Sequence, residues 1–219
     1  MTEILRAGFA PTLLSYAPGW LLQQRIHGEV VSGTRPNTLI LCEHESVYTA
    51  GKRTEPQHRP RDGSAVIDVD RGGSITWHGP GQLVGYPIIR LAEPRNVVGY
   101  MRTLEEVLIR ALATWGISGE RIAGRSGVWV LGGGSPAKIA AIGLRVSRGV
   151  TMHGFSLNCS NSPEGFARIT PCGLSDVSVT SISDLLGQTM TPEDCADTVT
   201  AHFLTVTGNA TTIAPVVTA

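Results

Sequence analysis

No stretch of this sequence approaches the roughly 18 consecutive apolar residues of a membrane-crossing helix. The N-terminal MTEILRAGFA lacks the layout of a secretory leader, so a cytoplasmic location is the expectation, with no membrane partner. Net charge is missing too: 18 Lys and Arg balance 18 Asp and Glu. That argues against generic nucleic-acid binding, which draws on a basic excess. Cysteine is scarce. Cys42, Cys159, Cys172 and Cys195 form no CxxC pair, which argues against structural zinc and a disulfide framework. Cys42 and His44 stand two apart in LCEHE, but two candidate ligands do not make a metal site, and none is expected. Neither GxxxxGK[ST] nor a helix-opening GxGxxG occurs, so no standard phosphate loop is present. Lysine is nearly absent: 16 of the 18 cations are Arg, and only Lys52 and Lys138 remain. A lysine that survives such a bias is a candidate for work that needs a removable proton, which Arg cannot do.

What is present describes one soluble, globular α+β domain over residues 1–219. Apolar content is 42% and charged content 16%, enough for a real core at this length. No repeat or linker suggests a boundary. A helix is predicted over about 12–28, with Pro18 ending or kinking its first turn. Strands are predicted at NTLILCE, SVYTAG, SAVIDVD, QLVGYPIIRL and SGVWVL. From Asn96 to Trp115 the residues Val97, Met101, Leu104, Leu108, Leu112 and Trp115 form one helical stripe, closed by Gly116. KIAAIGLRVS reads as a half-buried strand, with MHGFSLNC as its antiparallel partner across SRGVT. Thr191 and Pro192 open a last helix whose inner face carries Cys195, Val199 and Phe203. Beyond about residue 210 the signal fades into a tail that frays or adds an edge strand.

Two segments carry more chemistry than structure demands. Residues 71–82 read RGGSITWHGPGQ. Four glycines are too many for a core strand, and Arg71, Thr76, Trp77, His78 and Gln82 too many for a plain turn. Gly79-Pro80-Gly81 suits a tight turn, while Gly72-Gly73 lets main chain approach a ligand. The second segment is ITPCGLS. Of the four cysteines, Cys42, Cys159 and Cys195 lie in apolar strand or helix patterns and read as small core residues. Cys172 sits between Pro171 and Gly173, held outside regular structure as a nucleophile can be, although a plain structural turn fits the same residues. A nucleophilic thiol works as the thiolate, which a nearby cation favours, and Lys138 is a candidate for that cation.

Taken in order, RGGSITWHGPGQ, GVWV, KIAAIGLRVS, TMHGFSLN and ITPCGL resemble the lipoate–protein ligase B family, the octanoyl-[acyl carrier protein]:protein octanoyltransferases. The resemblance runs from about Leu5 to Gly187, with Trp77 where the family more often has Tyr or Phe. It implies the biotin/lipoate ligase catalytic-domain fold, a mixed, mostly antiparallel sheet flanked by helices. It implies that Cys172 takes the octanoyl group from octanoyl-acyl carrier protein as a thioester. The ε-amine of a lysine on an apo lipoyl domain then receives it; such domains occur in 2-oxoacid dehydrogenase complexes and the glycine cleavage H protein. Lys138 would lower the thiol's pKa. Substrate-binding residues would be Arg71, Gly72, Gly73, Ser74, Ile75, Thr76, Trp77 and His78, then Ala141, Ile142 and Gly143, then Gly154, Phe155 and Ser156. No cofactor is implied, because a thioester is already activated. On the residues' own chemistry, Trp77, Ile142 and Phe155 are expected to wall the acyl slot. An ATP-dependent ligase, a thioesterase and a module that only binds carrier protein are the rival readings.

Overall fold

The computed structural model describes residues 1–132, 134–169, 178–208 and 211–213. The chain opens with β1 (Thr2–Arg6) and α1 (Tyr16–Ser32). This helix begins four residues later than the sequence pattern suggested. Ser15 is its N-cap, so Pro18 falls in the first turn, where backbone N–H groups have no intrahelical partner and proline costs nothing. Strands β2 (Asn37–Cys42), β3 (Val47–Ala50) and β4 (Val66–Asp68) follow, then β5 (Ile75–His78) and β6 (Gln82–Ile88). The second long helix, α2, covers Val97–Thr114, and the Asn96 side chain accepts the Gly99 N–H as its cap. Strands β7 (Glu120–Ile122), β8 (Arg125–Val130), β9 (Ala137–Ser147) and β10 (Val150–Asn158) come next. The chain closes with α3 (Glu164–Ala167), β11 (Ser178–Val179), α4 (Ile182–Leu186), α5 (Pro192–Thr207) and β12 (Thr211–Ile213).

The described strands form two sheets. The large one runs β12-β1-β2-β6-β10-β9-β8-β7, with β11 beside β9. It is parallel at β12-β1-β2 and at β11-β9, and antiparallel elsewhere. The small one is β4-β3-β5. This is the expected α+β arrangement, and β9 and β10 form the expected hairpin. Its turn is Arg148-Gly149, both at positive φ (51° and 78°), the backbone that a two-residue hairpin loop requires.

Period-two alternation divides the large sheet into two apolar faces. Leu39, Leu41, Leu83, Ile142, Leu144, Phe155 and Leu157 pack with Leu104, Leu108 and Leu112 of α2 and with Val199 and Phe203 of α5. Ile40, Cys42, Val84, Tyr86 and Ile88 face the other way, against Ile26 and Val30 of α1. Cys42, Cys159 and Cys195 are fully buried thiols in these layers, as their patterns suggested. The C-terminal helices are closed by reciprocal capping boxes, Ser181 with Asp184 and Thr191 with Asp194.

Candidate active site

A cleft of about 600 Å³, counting its open mouth, lies on the α1 side of the sheet. Small residues create it. Ser156 pairs with Ala141 and Gly154 with Gly143 along the β9-β10 ladder, and all four line the space. Val84 and Tyr86 extend the floor, Tyr16 comes from α1, and Ser74 to Thr76 and His78 from the β5 region form the opposite wall. No residue larger than Ser is present at those four ladder positions to fill the volume. A Cβ on Gly154 would meet the Gly85 carbonyl oxygen at 2.1 Å and Pro87 Cδ at 2.5 Å, so β10 could not keep its place beside β6 with a side chain there.

The sequence expectation about the slot's walls needs revision. Ile142 and Phe155 border the cleft, but their side chains belong to the core layer under α2. The Phe155 ring lies over Gly85, where a Cβ would come within 2.2 Å of it. Trp77 does not line the cleft. It packs with Tyr48, Ile75 and Ile169, stands edge-on to Phe166 at 5.4 Å, and donates Nε1–H to Ser46 Oγ at 2.9 Å. Gly72 also stands back, because its N–H donates to the Leu144 carbonyl at 2.9 Å and docks the loop on β9.

Arg71 builds the loop from within. Its Nη1 donates to the Gly72 and Ser74 carbonyls at 3.1 and 2.7 Å, and its Nη2 to Thr49 O and Oγ1 at 2.8 and 3.0 Å. The stem crosses Gly143, where a Cβ would lie 2.9 Å from Arg71 Cδ. This one arginine therefore stands against Gly51, Gly73 and Gly143.

Lys138 reaches the cleft through an irregularity. Between β8 and β9 the register shifts, so Val128 pairs with Ala140 while Trp129 pairs with Lys138. The additional residue, Ile139, breaks the alternation, and both Ile139 and Ala140 enter the core under α2. Lys138 is thereby turned to the cleft side with Ala141. It is buried, with Nζ 4.5 Å from the centre of the Trp129 ring, a cation–π distance. Gly127 makes the bulge possible: its φ is 101°, and a Cβ would meet the Ala140 carbonyl at 2.3 Å. The other lysine, Lys52, is exposed and is not among the residues that line the cleft.

Cys172 lies outside the described residues. The described residues on either side of its segment are informative. The chain enters from Ile169, packed against Trp77 and Ile75. It leaves through β11, where Ser178 pairs with Ala137 and Val179 with Lys138. Thr180 then gives its N–H to the Lys138 carbonyl at 3.1 Å.

The cleft also gathers, around the expected His78, groups that sequence reasoning did not assign to the site. His153 lies at positive φ (57°), a strained setting for a non-glycine residue. Its Nε2 is 2.8 Å from Asp70 Oδ1, whose carboxylate also pairs with Arg145, and its ring stacks on Trp20 at 5.1 Å. Burial first, then the Arg71 and Arg145 cations, push the His153 pKa down to about 3. Burial raises Tyr16 to about 12 and lowers His44. His44 links Leu14 O at 2.7 Å to the Tyr86 hydroxyl at 2.7 Å. His78 is driven to about 3, chiefly by burial and then by nearby His44. Its Nδ1 is 2.7 Å from Gln82 Oε1, Gln82 Nε2 is 2.9 Å from Asn158 Oδ1, and Asn158 Nδ2 is 3.0 Å from Thr180 O. His153 and Asn158 lie inside TMHGFSLN and Gln82 inside RGGSITWHGPGQ, motifs already singled out. Tyr16, Tyr86 and Ser126 come from segments with no local signal, and only the fold brings them here.

The fold is that of the lipoate and biotin ligase catalytic domains, a mostly antiparallel sheet flanked by helices. A bipartite lipoate protein ligase from Thermoplasma acidophilum superposes with a TM-score of 0.70 at 12% identity, covering 98% of this chain and 88% of that one. Biotin protein ligase from Aquifex aeolicus superposes at 0.53 and 12% identity, covering 95% and 69%. The lipoyl protein ligase A/B catalytic domain family model matches residues 15–204, and the chain belongs to that family. Among its relatives, the octanoyltransferase of Leifsonia xyli is 57% identical over 92% of this chain and 91% of its own length. That of Salinispora tropica is 54% identical over 93% and 94%.

Proposed function

We propose that this protein transfers an octanoyl group from octanoyl-acyl carrier protein to a lysine ε-amine on an apo lipoyl domain, by way of a thioester on Cys172. The acceptors are lipoyl domains of the 2-oxoacid dehydrogenase complexes and the glycine cleavage H protein. The observation that carries the reading is the placement of Lys138. A bulge turns this one buried lysine into a cleft floored by Ala141, Gly143, Gly154 and Ser156. Pairing with β11 ties the exit of the Cys172 segment to the same lysine. An ammonium beside a thiol favours the thiolate that attacks the donor. Attack releases the carrier's thiol, and the new acyl-enzyme is again a thioester, so this step is close to balanced; in the second the amine expels the Cys172 thiolate and the amide forms downhill, without nucleotide. The cleft's small-residue floor suits a thin aliphatic chain, and burying that chain stabilises the complex by roughly 0.8 kcal/mol per methylene.

Turnover of octanoyl-carrier with an apo lipoyl domain, in the absence of any nucleotide, tests the reading. Amide formation on the acceptor is the expected result. Free octanoate without amide would make the protein a thioesterase, and a requirement for ATP would make it a ligase.

A further inference from the structure

We propose that Gln82 and Asn158 are positioning residues that hold His78 in the tautomer protonated on Nδ1, so that its Nε2 accepts a hydrogen bond from the acceptor amine. The amine's part rests on the transfer reading above; the ring assignment does not.

The polarity of the chain is set at its far end. The Thr180 carbonyl can only accept, so the group facing it is the Asn158 amide nitrogen. Asn158 Oδ1 then faces Gln82 and must accept, which orients the Gln82 amide with Nε2 toward Asn158. Gln82 Oε1 is left facing His78 and also accepts, so His78 Nδ1 carries a proton. At neutral pH the buried ring is uncharged, and Nε2 is therefore a bare lone pair. It has no partner among the described residues, and His78 lines the cleft.

A bare acceptor needs a donor. A thiolate nucleophile carries no proton to give, and neither does the acyl carbonyl. Of the reacting groups themselves, thiolate, acyl carbonyl and ε-amine, only the amine carries N–H. A hydrogen bond from it to His78 Nε2 would aim the nitrogen lone pair at the acyl carbon. The low pKa makes this ring an orienting acceptor and a poor base. The chain's anchor is placed to serve the same event, because Thr180 also donates its N–H to the Lys138 carbonyl. One residue beyond the Cys172 segment, Thr180, thus registers both groups.

The test begins with long-range ¹H–¹⁵N correlation spectra of the uniformly labelled enzyme at pH 7, with His78 assigned by the signal lost in His78→Gln. Protonated Nδ1 and bare Nε2 are expected. A proton on Nε2, or an imidazolium, would overturn the proposal. Gln82→Leu should mix the tautomers, and pre-acylated enzyme should then transfer to an apo lipoyl domain at least ~10-fold more slowly, while formation of the acyl-enzyme keeps its rate. Gln82→Glu, whose carboxylate still accepts from Nδ1–H but gives Asn158 Oδ1 no donor, should keep the tautomer and transfer faster than Gln82→Leu. Equal losses in both half-reactions, or an unchanged spectrum and rate in Gln82→Leu, would reduce the chain to a structural role. If no acyl-enzyme formed while Nδ1 carried the proton, the transfer reading and the amine's role would fall and the ring assignment would stand.

Discussion

At the scale of single residues, the cleft exists because β9 and β10 carry alanine, glycine and serine at four ladder positions. Gly154→Ala places a methyl group against the Gly85 carbonyl. It should destabilise the fold by about 1–3 kcal/mol, read as a lower urea midpoint with an unchanged slope. His78 gives a second prediction. An unfolded histidine titrates near 6.5, and burial lowers the folded value to about 3. Between these values the unfolded chain binds the extra proton, so stability falls as pH drops below 6.5, by up to ~1.4 kcal/mol per pH unit from this group. His78→Gln should lessen the loss seen between pH 6.5 and 4.5 in urea titrations, with His153, lowered as far, and His44 supplying the remainder. The identities of these residues were legible in the sequence and their directions were not. Alternation placed Ile142 and Leu144 on one face, but the sheet is apolar on both faces, and nothing local tells core from cleft. Trp77 was read toward the ligand from its neighbours in RGGSITWHGPGQ, yet in β5 it packs against Ile169 while His78 lines the cleft.

At the scale of elements, the β9 bulge is the feature on which the site turns. Without the additional residue Ile139, Lys138 would follow the alternation of Ala140 and Ile142 into the core. Gly127→Ala strains a φ of 101° and pushes on Ala140. It should therefore cost stability and also reduce turnover at saturating substrate, beyond what unfolding explains, as the lysine loses its aim. A strand read from KIAAIGLRVS could not reveal the bulge, because a bulge is a relation between two strands. Capping offers a complementary test. Ser181 caps α4 immediately after Thr180. Ser181→Ala should cost about 0.5–2 kcal/mol, and hydrogen exchange at the Thr180 and Asp184 amides should speed up before that of the core strands. Helix caps and the β9-β10 hairpin were legible because their signals are local, as at Thr191-Pro192 and around Arg148-Gly149. The start of α1 was missed because Pro18 was judged as a breaker when Ser15 makes it a first-turn residue.

At the scale of the whole molecule, the two sheets meet around one cleft. The large sheet gives the floor and Lys138, the β5 region gives the facing wall, and α1 contributes Tyr16. The ordered motifs of the sequence come together here although they are spread from residue 71 to residue 156. Tyr16 joins them only through topology, which explains why no motif announced it, and Asp70, just before RGGSITWHGPGQ, meets His153 of TMHGFSLN only in the fold. The account predicts a covalent acyl-enzyme on one particular sulfur, and its most direct test is intact mass. The protein is incubated with octanoyl-acyl carrier protein alone, then digested to locate the adduct. The wild-type chain should gain one octanoyl group on the peptide containing Cys172, discharged on adding an apo lipoyl domain, and Cys172→Ser should gain no such thioester. An adduct of undiminished yield in Cys172→Ser, or octanoyl transfer that proceeds without any adduct in the wild type, would contradict it.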